Sequence, residues 1–219
     1  MADCATVTSD VRATYLTAAD VANGLLASIE VAQGWGRESV LRGMSVGALA
    51  GHLARSILQV EWFLDAPTDG ARLTTAVDYY ARLQGTTVAD SPLNTGVRAR
   101  SEETAQAGAD VVAEQAKGAL HRLRGRLEQA PAQRRIAVLH QPGEQMLLDE
   151  YLRTRCVELA VHTEDLALSV GLDVCSPPET AEAAVELLLA AARRRHGDRA
   201  VLHALARRER DVWDALRVV

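Results

Sequence analysis

The chain has 219 residues, of which 48% are hydrophobic but only 4% aromatic, and its net charge is -5. This length suits one well-buried core with a short accessory region, and the aliphatic, aromatic-poor composition argues against a β-sandwich and for packed helices. The arginines alternate with acids such as Glu102, Glu103 and Asp110, so no basic face is available to nucleic acid.

The first periodic stretch covers residues 10 to 33, where Val11, Tyr15, Leu16, Ala19, Leu25, Leu26 and Ile29 recur at helical steps before Gly34. A second helix is predicted after Gly43, with Ser45 as N-cap, ending near Leu64 at Asp65-Ala-Pro67. Residues 73 to 84 form a short helix carrying Tyr79 and Tyr80. The segment 89 to 96, with Pro92 and Asn94, reads as a connection, and a long polar helix follows over 97 to 130 until Pro131. Ile136 to Leu139, with a Gln-Pro-Gly turn behind it, is either a small hairpin or a loop.

The fourth main helix spans about Leu147 to Val170 and closes at Gly171. Two more helices are expected over 179 to 195 and 199 to 216. Four principal helices with a long crossover define an all-α four-helix bundle in residues 1–175, with residues 176–219 as a helical tail packed on the same domain. The three cysteines, Cys4, Cys156 and Cys175, form no disulfide framework. The chain also lacks a signal-like start and a run of about 20 apolar residues, so no membrane association is expected and the expected location is cytoplasmic.

The fourth helix carries the informative pattern. Glu158 and His162 are four residues apart, so at about 100° per residue they stand one above the other. The same wheel assigns Asp149, Arg153, Ala160, Thr163, Glu164 and Ala167 to solvent. Glu158 and His162 then lie amid a buried face, between Leu148, Leu152, Leu159 and Leu166 on one side and Val157, Val161 and Leu168 on the other. Buried ionisable groups must be paired or metal-bound. Two roles fit this pair: a self-satisfied Glu–His⁺ couple, or two ligands of an ion. His52 is the candidate third donor, on the shoulder of the stripe Leu49, Leu53, Ile57, Val60 and Leu64, although a histidine there can equally be a hydrogen-bonded core residue. His121 sits among arginines, His140 in a turn, and His196 and His203 flank the last helix connection. Two imidazoles and one carboxylate leave an open coordination position, which suits a catalytic ion. Zinc is the first choice, and nickel or iron(II) fit the same donors.

The segment Gly43-Met-Ser-Val-Gly-Ala-Leu-Ala-Gly-His52-Leu-Ala-Arg55, followed by Arg155-x-x-Glu158-x-x-x-His162-x-x-Asp165-Leu166, resembles the metal-binding N-terminal domain of mycothiol-dependent maleylpyruvate isomerases, members of the DinB-like four-helix-bundle superfamily. The tail from Ala191 to Glu209 is similar as well. The resemblance implies a divalent metal on His52, Glu158 and His162, with mycothiol as co-substrate. A metal-bound thiol is deprotonated and attacks a small electrophile, giving isomerisation or a stable thioether. Where the family usually has a tryptophan, just before the first-histidine helix, this chain has Met44. The isomerases proper also carry a further α/β domain that contributes an arginine, whereas this chain ends at Val219, so S-transfer is favoured over isomerisation. Arg155, one turn before Glu158, is either a salt-bridge partner of that carboxylate or a contact for an anionic substrate. Tyr79, Tyr80 and Tyr151 are pocket-lining or core residues. The alternative to an enzyme is a metal- or small-molecule-binding bundle without turnover: a sensor, carrier or partner-binding protein. The oligomeric state stays open between monomer and homodimer.

Overall fold

The computed structural model describes residues 10–68, 72–83, 88, 90–138, 143–206 and 215–218. In chain order the elements are α1 (Val11–Leu26), α2 (Ile29–Gly34), α3 (Val46–Asp65), β1 (Arg72–Leu73), α4 (Ala76–Arg82), α5 (Pro92–Ala105), α6 (Ala109–Gln129), β2 (Arg135–Ala137), β3 (Glu144–Leu147), α7 (Leu148–Val170), α8 (Pro178–His196) and α9 (Asp198–Ala206). The fold is all-α and DinB-like, with one small sheet beside the helices.

Local chemistry sets most boundaries. Ser45 caps α3 by accepting from the Ala48 N–H, and Gly171 closes α7 with φ 75°, a left-handed conformation that glycine adopts without a Cβ penalty. The expected first helix is divided in two, because Ser28 turns out of the helix and caps α2 through the Val31 N–H. The expected long polar helix is also two. Ser91 caps α5 with Pro92 in its first turn, where a missing N–H costs nothing, so the proline starts the helix instead of lying in a connection. Gly108, at φ 85°, then separates α5 from α6. The hairpin is present as β2 and β3, paired antiparallel with Ile136 opposite Met146. Leu139, His140 and the Gln-Pro part of its turn lie outside the described residues, as do Cys4, Arg208 and Glu209. The sequence pattern contained no hint of β1, which pairs parallel to β3 through Arg72–Glu144 and Leu73–Gln145.

Helices α1, α7, α3 and α6 pack in that cyclic order, each touching the next, to form the four-helix bundle. Its interior is aliphatic: Leu49, Leu53 and Ile57 of α3, Leu123 and Leu127 of α6, and Leu152 and Leu159 of α7 are fully buried. Each such side chain contributes about 1.5–3 kcal/mol relative to an exposed position. The long crossover between α3 and α6 carries α4 and α5. Helix α5 lies on the outside of α3, and the approach is close at Gly51, where a Cβ would sit 2.5 Å from the Ser101 carbonyl oxygen. Helix α4 is held at both ends: Glu150 of α7 accepts from the Ala76 N–H at 2.7 Å, and Arg195 of α8 donates to the carbonyls of Tyr80, Ala81 and Leu83.

One face of α7 differs from the sequence expectation. Ala160, Thr163 and Ala167 are buried, not solvated, because α1 and α8 both pack on α7, and Arg12 of α1 binds Asp149 at 2.7 Å. The exposed side of α7 instead shows Val161, Glu164 and Leu168. A helical wheel ranks faces by polarity, and small or neutral residues leave that ranking undecided until neighbours are placed.

Candidate metal centre

The register of α3 and α7 brings three donors to one point. Glu158 Oε2 lies 3.2 Å from His52 Nε2 and 3.6 Å from His162 Nε2, and the two imidazole rings meet edge to face at 4.5 Å between centroids. One ligand atom from each of the three residues falls within 4.8 Å of the others, the only such group of histidine, cysteine or acidic side chains among the described residues. All three are part-buried, at 18 to 20% side-chain exposure, so they stand at the edge of the interior, open on one side.

The outer partners orient the donors. Ser101 Oγ donates to the Val97 carbonyl at 2.8 Å and stands in hydrogen-bond reach of His52 Nδ1 at 3.3 Å. His162 Nδ1 stands 3.1 Å from Asp165 Oδ2, which accepts its N–H. Each histidine thus has an outer partner on its Nδ1 side and its Nε2 turned towards Glu158, the orientation a ligand to metal requires. Tyr80 of α4 donates to Glu158 Oε1 at 3.2 Å, which leaves Oε2 to the histidines. The Arg155 guanidinium is 3.9 Å from the same Oε1. It donates to Gln59 Oε1 at 3.3 Å and lies 4.9 Å from the Tyr151 ring centroid, in cation–π contact.

The electrostatics follow from these contacts. Burial works to raise the Glu158 pKa, but the hydrogen bonds to His162 and His52, with the charge of Arg155, hold it well below the usual carboxylate range. Burial pulls His162 down, yet Asp165 and Glu158 on either side outweigh it and lift its pKa to about 9. His52 moves the other way, lowered first by burial and then by His162. Burial raises Tyr79 to about 12 and keeps its hydroxyl protonated.

Beside the three donors opens a cavity of about 420 Å³. Trp62, Phe63, Tyr79, Leu93 and Val97 form its apolar wall, and Arg55, Arg100, Arg155 and Gln59 its polar wall. His52 and Glu158 line it directly, so a ligand in the cavity would reach the donor cluster.

The sequence-predicted His52, Glu158 and His162 are therefore brought together, with Arg155 buried beside them. Of the tyrosines, Tyr79 lines the cavity and Tyr80 binds Glu158, while Tyr151 packs beneath, its hydroxyl donating to Gln59 at 3.5 Å. His121 is exposed on α6, His196 ends α8 and His203 lies on α9, all apart from the cluster. Sequence reasoning missed Ser101, Gln59, Arg55 and Arg100 as site residues. Ser101 had one available signal, a serine inside an otherwise polar helix. Asp165 was visible in the motif, but its partner was not assigned.

A family model described as the mycothiol maleylpyruvate isomerase N-terminal domain matches residues 15–167, from within α1 almost to the end of α7. No curated protein and no solved structure matches the chain. The match covers nearly all of the bundle and all three clustered donors. On that extent, the chain belongs to the mycothiol maleylpyruvate isomerase N-terminal domain family.

Proposed function

We propose that the chain binds one divalent metal ion through His52, Glu158 and His162 and promotes attack of mycothiol on a small electrophile, by S-transfer or cis–trans isomerisation. The observation that carries this reading is the hydrogen-bonded orientation of the donors. Ser101 and Asp165 each occupy the Nδ1 side of a histidine, so both Nε2 atoms converge on Glu158 beside an open cavity. Zinc suits two imidazoles and a carboxylate best, and nickel or iron(II) are compatible. When bound, the ion supplies a Lewis-acid position at which a thiol loses its proton at neutral pH.

The residues do the rest. Tyr80 fixes one oxygen of Glu158 so that the other faces the histidines. Arg155, held by Gln59 and Tyr151, keeps that carboxylate ionised and stands where negative charge develops during attack. Trp62, Phe63 and Tyr79 pack the organic part of the reactants and exclude water. Sulfur forms a bond to the electrophilic carbon, and its proton passes to solvent. In S-transfer the carbon's leaving group departs with the bonding pair. In isomerisation the sulfur adds to one carbon of a double bond and the π pair moves onto the adjoining electron-withdrawing group; the new single bond rotates, and return of that pair restores the alkene and expels the thiolate, which regains its proton from solvent.

Residues 1–175 serve as the metal-binding unit in this reading, with residues 176–219 as a tail on the same domain, and α8 packing on α7 and α4 supports that attachment. No helix among the described residues is long and apolar enough to cross a membrane.

The test is incubation of metal-loaded protein with mycothiol and a panel of electrophiles, with and without chelator, while metal and thiol binding are followed by calorimetry. A chelator-sensitive thioether or trans product is expected. Saturable thiol binding with no product from any acceptor would instead identify a carrier or sensor.

A further inference from the structure

Many arginines among the described residues are tied to acids. Arg122 pairs with Glu61, Arg124 with Asp20, Arg126 with Asp65, Arg193 with Asp198 and Arg194 with Asp78. Arg55 and Arg100 differ from these. Neither has a carboxylate within ion-pair distance among the described residues, yet both line the cavity beside the donor cluster. Arg55, from α3, is part-buried. Its Nη1 reaches only Thr104 Oγ1 at 3.5 Å, and its guanidinium lies 5.4 Å from the Trp62 ring centroid. Arg100, from α5, stands at the exposed edge.

Burial and the neighbouring Arg100 both lower the Arg55 pKa, and Glu103 acts on Arg55 electrostatically without pairing to it. With Arg155 the cavity holds three guanidiniums against one carboxylate, Glu158. Arg55 and Arg100 repel each other at the cavity edge, and a bound anion would relieve that repulsion.

We infer that Arg55 and Arg100 form an anion subsite, and that the electrophile accepted by this cavity carries a carboxylate or phosphate at the end away from the donor cluster. The planar guanidiniums offer paired N–H donors to either head group, and Trp62 supplies an apolar face for the adjoining carbon skeleton. The acceptor part of this inference rests on the thiol-transfer reading above; the anion subsite itself does not.

Calorimetric titration of the full chain with benzoate and benzamide tests the subsite directly, with metal added and again with chelator. Benzoate is expected to bind in both conditions and benzamide much more weakly. R55Q and R100Q should each weaken benzoate about 10-fold or more, the usual scale for hydrogen bonds to a charged group. R124Q, which removes the same charge from outside the cavity, should leave it unchanged. Phenyl phosphate bound more tightly than benzoate, with the same arginine dependence, would support the subsite and name the head group. Circular dichroism confirms that the variants are folded, and R100Q, on an exposed residue, stands if R55Q does not fold. Benzoate affinity unaffected by a folded variant, or abolished by chelator, would overturn the subsite.

With mycothiol, iodoacetate and iodoacetamide share a reacting carbon and leaving iodide but differ in charge. The kcat/KM for iodoacetate should fall about 10-fold in R100Q while that for iodoacetamide holds. Equal loss for both would overturn the acceptor assignment. If neither is turned over but benzoate binding still needs both arginines, the subsite stands and the thiol chemistry falls.

Discussion

Helix α7 is buried on two sides for unlike reasons. On the side of Ala160, Thr163 and Ala167 it offers small side chains, and α1 and α8 pack against the helix. On the side of Arg155, Glu158 and His162 it offers groups that cost free energy to bury, and each has a named partner: Gln59, Tyr80 and Asp165. The first side obeys volume and the second obeys hydrogen bonding. Burial as such therefore says nothing about function, whereas satisfied polar burial beside a cavity does.

The contrast breaks most completely at His162. His162→Ala removes one of three donors from the polar side while leaving the aliphatic bundle intact, so metal content by elemental analysis should fall to background with the helical circular dichroism unchanged. Ala167→Leu should do the reverse: overpacking costs about 1–3 kcal/mol in thermal or denaturant unfolding, with full metal stoichiometry in the folded fraction. Loss of metal in Ala167→Leu with no loss of stability would show that the two sides are not separable.

Smaller effects sharpen the polar side. Asp165→Asn and Ser101→Ala leave the ligands in place but loosen their orientation, and should weaken metal affinity by about 10- to 100-fold in a competition titration. In metal-free protein the two histidines should give opposite pH arms. His162 has its pKa raised from 6.5 to about 9, so its stabilisation is complete below 6.5 and is lost as pH rises through about 9. His52 is lowered, so its contribution is present above 6.5 and is lost as pH falls through its folded value. Unfolding of the chelated protein followed across this range should show both arms, and His162→Ala should flatten the alkaline one. His121→Ala, on the exposed side of α6, should change none of these measurements.

Much of this was already legible in the chain, wherever the cause acts within about one helical turn. Glu158 and His162 share a face because four residues make slightly more than a turn, and that holds wherever the helix is placed. Ser45 and Gly171 end helices through bonds to their own neighbours. The apolar stripe of α3 likewise placed His52 at the border of the core, and the composition pointed to an all-α fold.

What the tertiary structure alone decided are contacts between residues far apart in sequence. Ser101 meets His52 across 49 positions, Tyr80 meets Glu158 across 78, and His52 meets Glu158 across 106. None of these follows from periodicity, because each depends on how two helices dock and on details such as the missing side chain of Gly51, which lets α5 settle onto α3. The same docking buried the face of α7 expected in solvent and left Arg55 and Arg100 together with no acid in ion-pair reach among the described residues. Within one helix, position follows from covalent geometry and local hydrogen bonds. Between helices it follows from packing summed over the whole core, which no short segment contains.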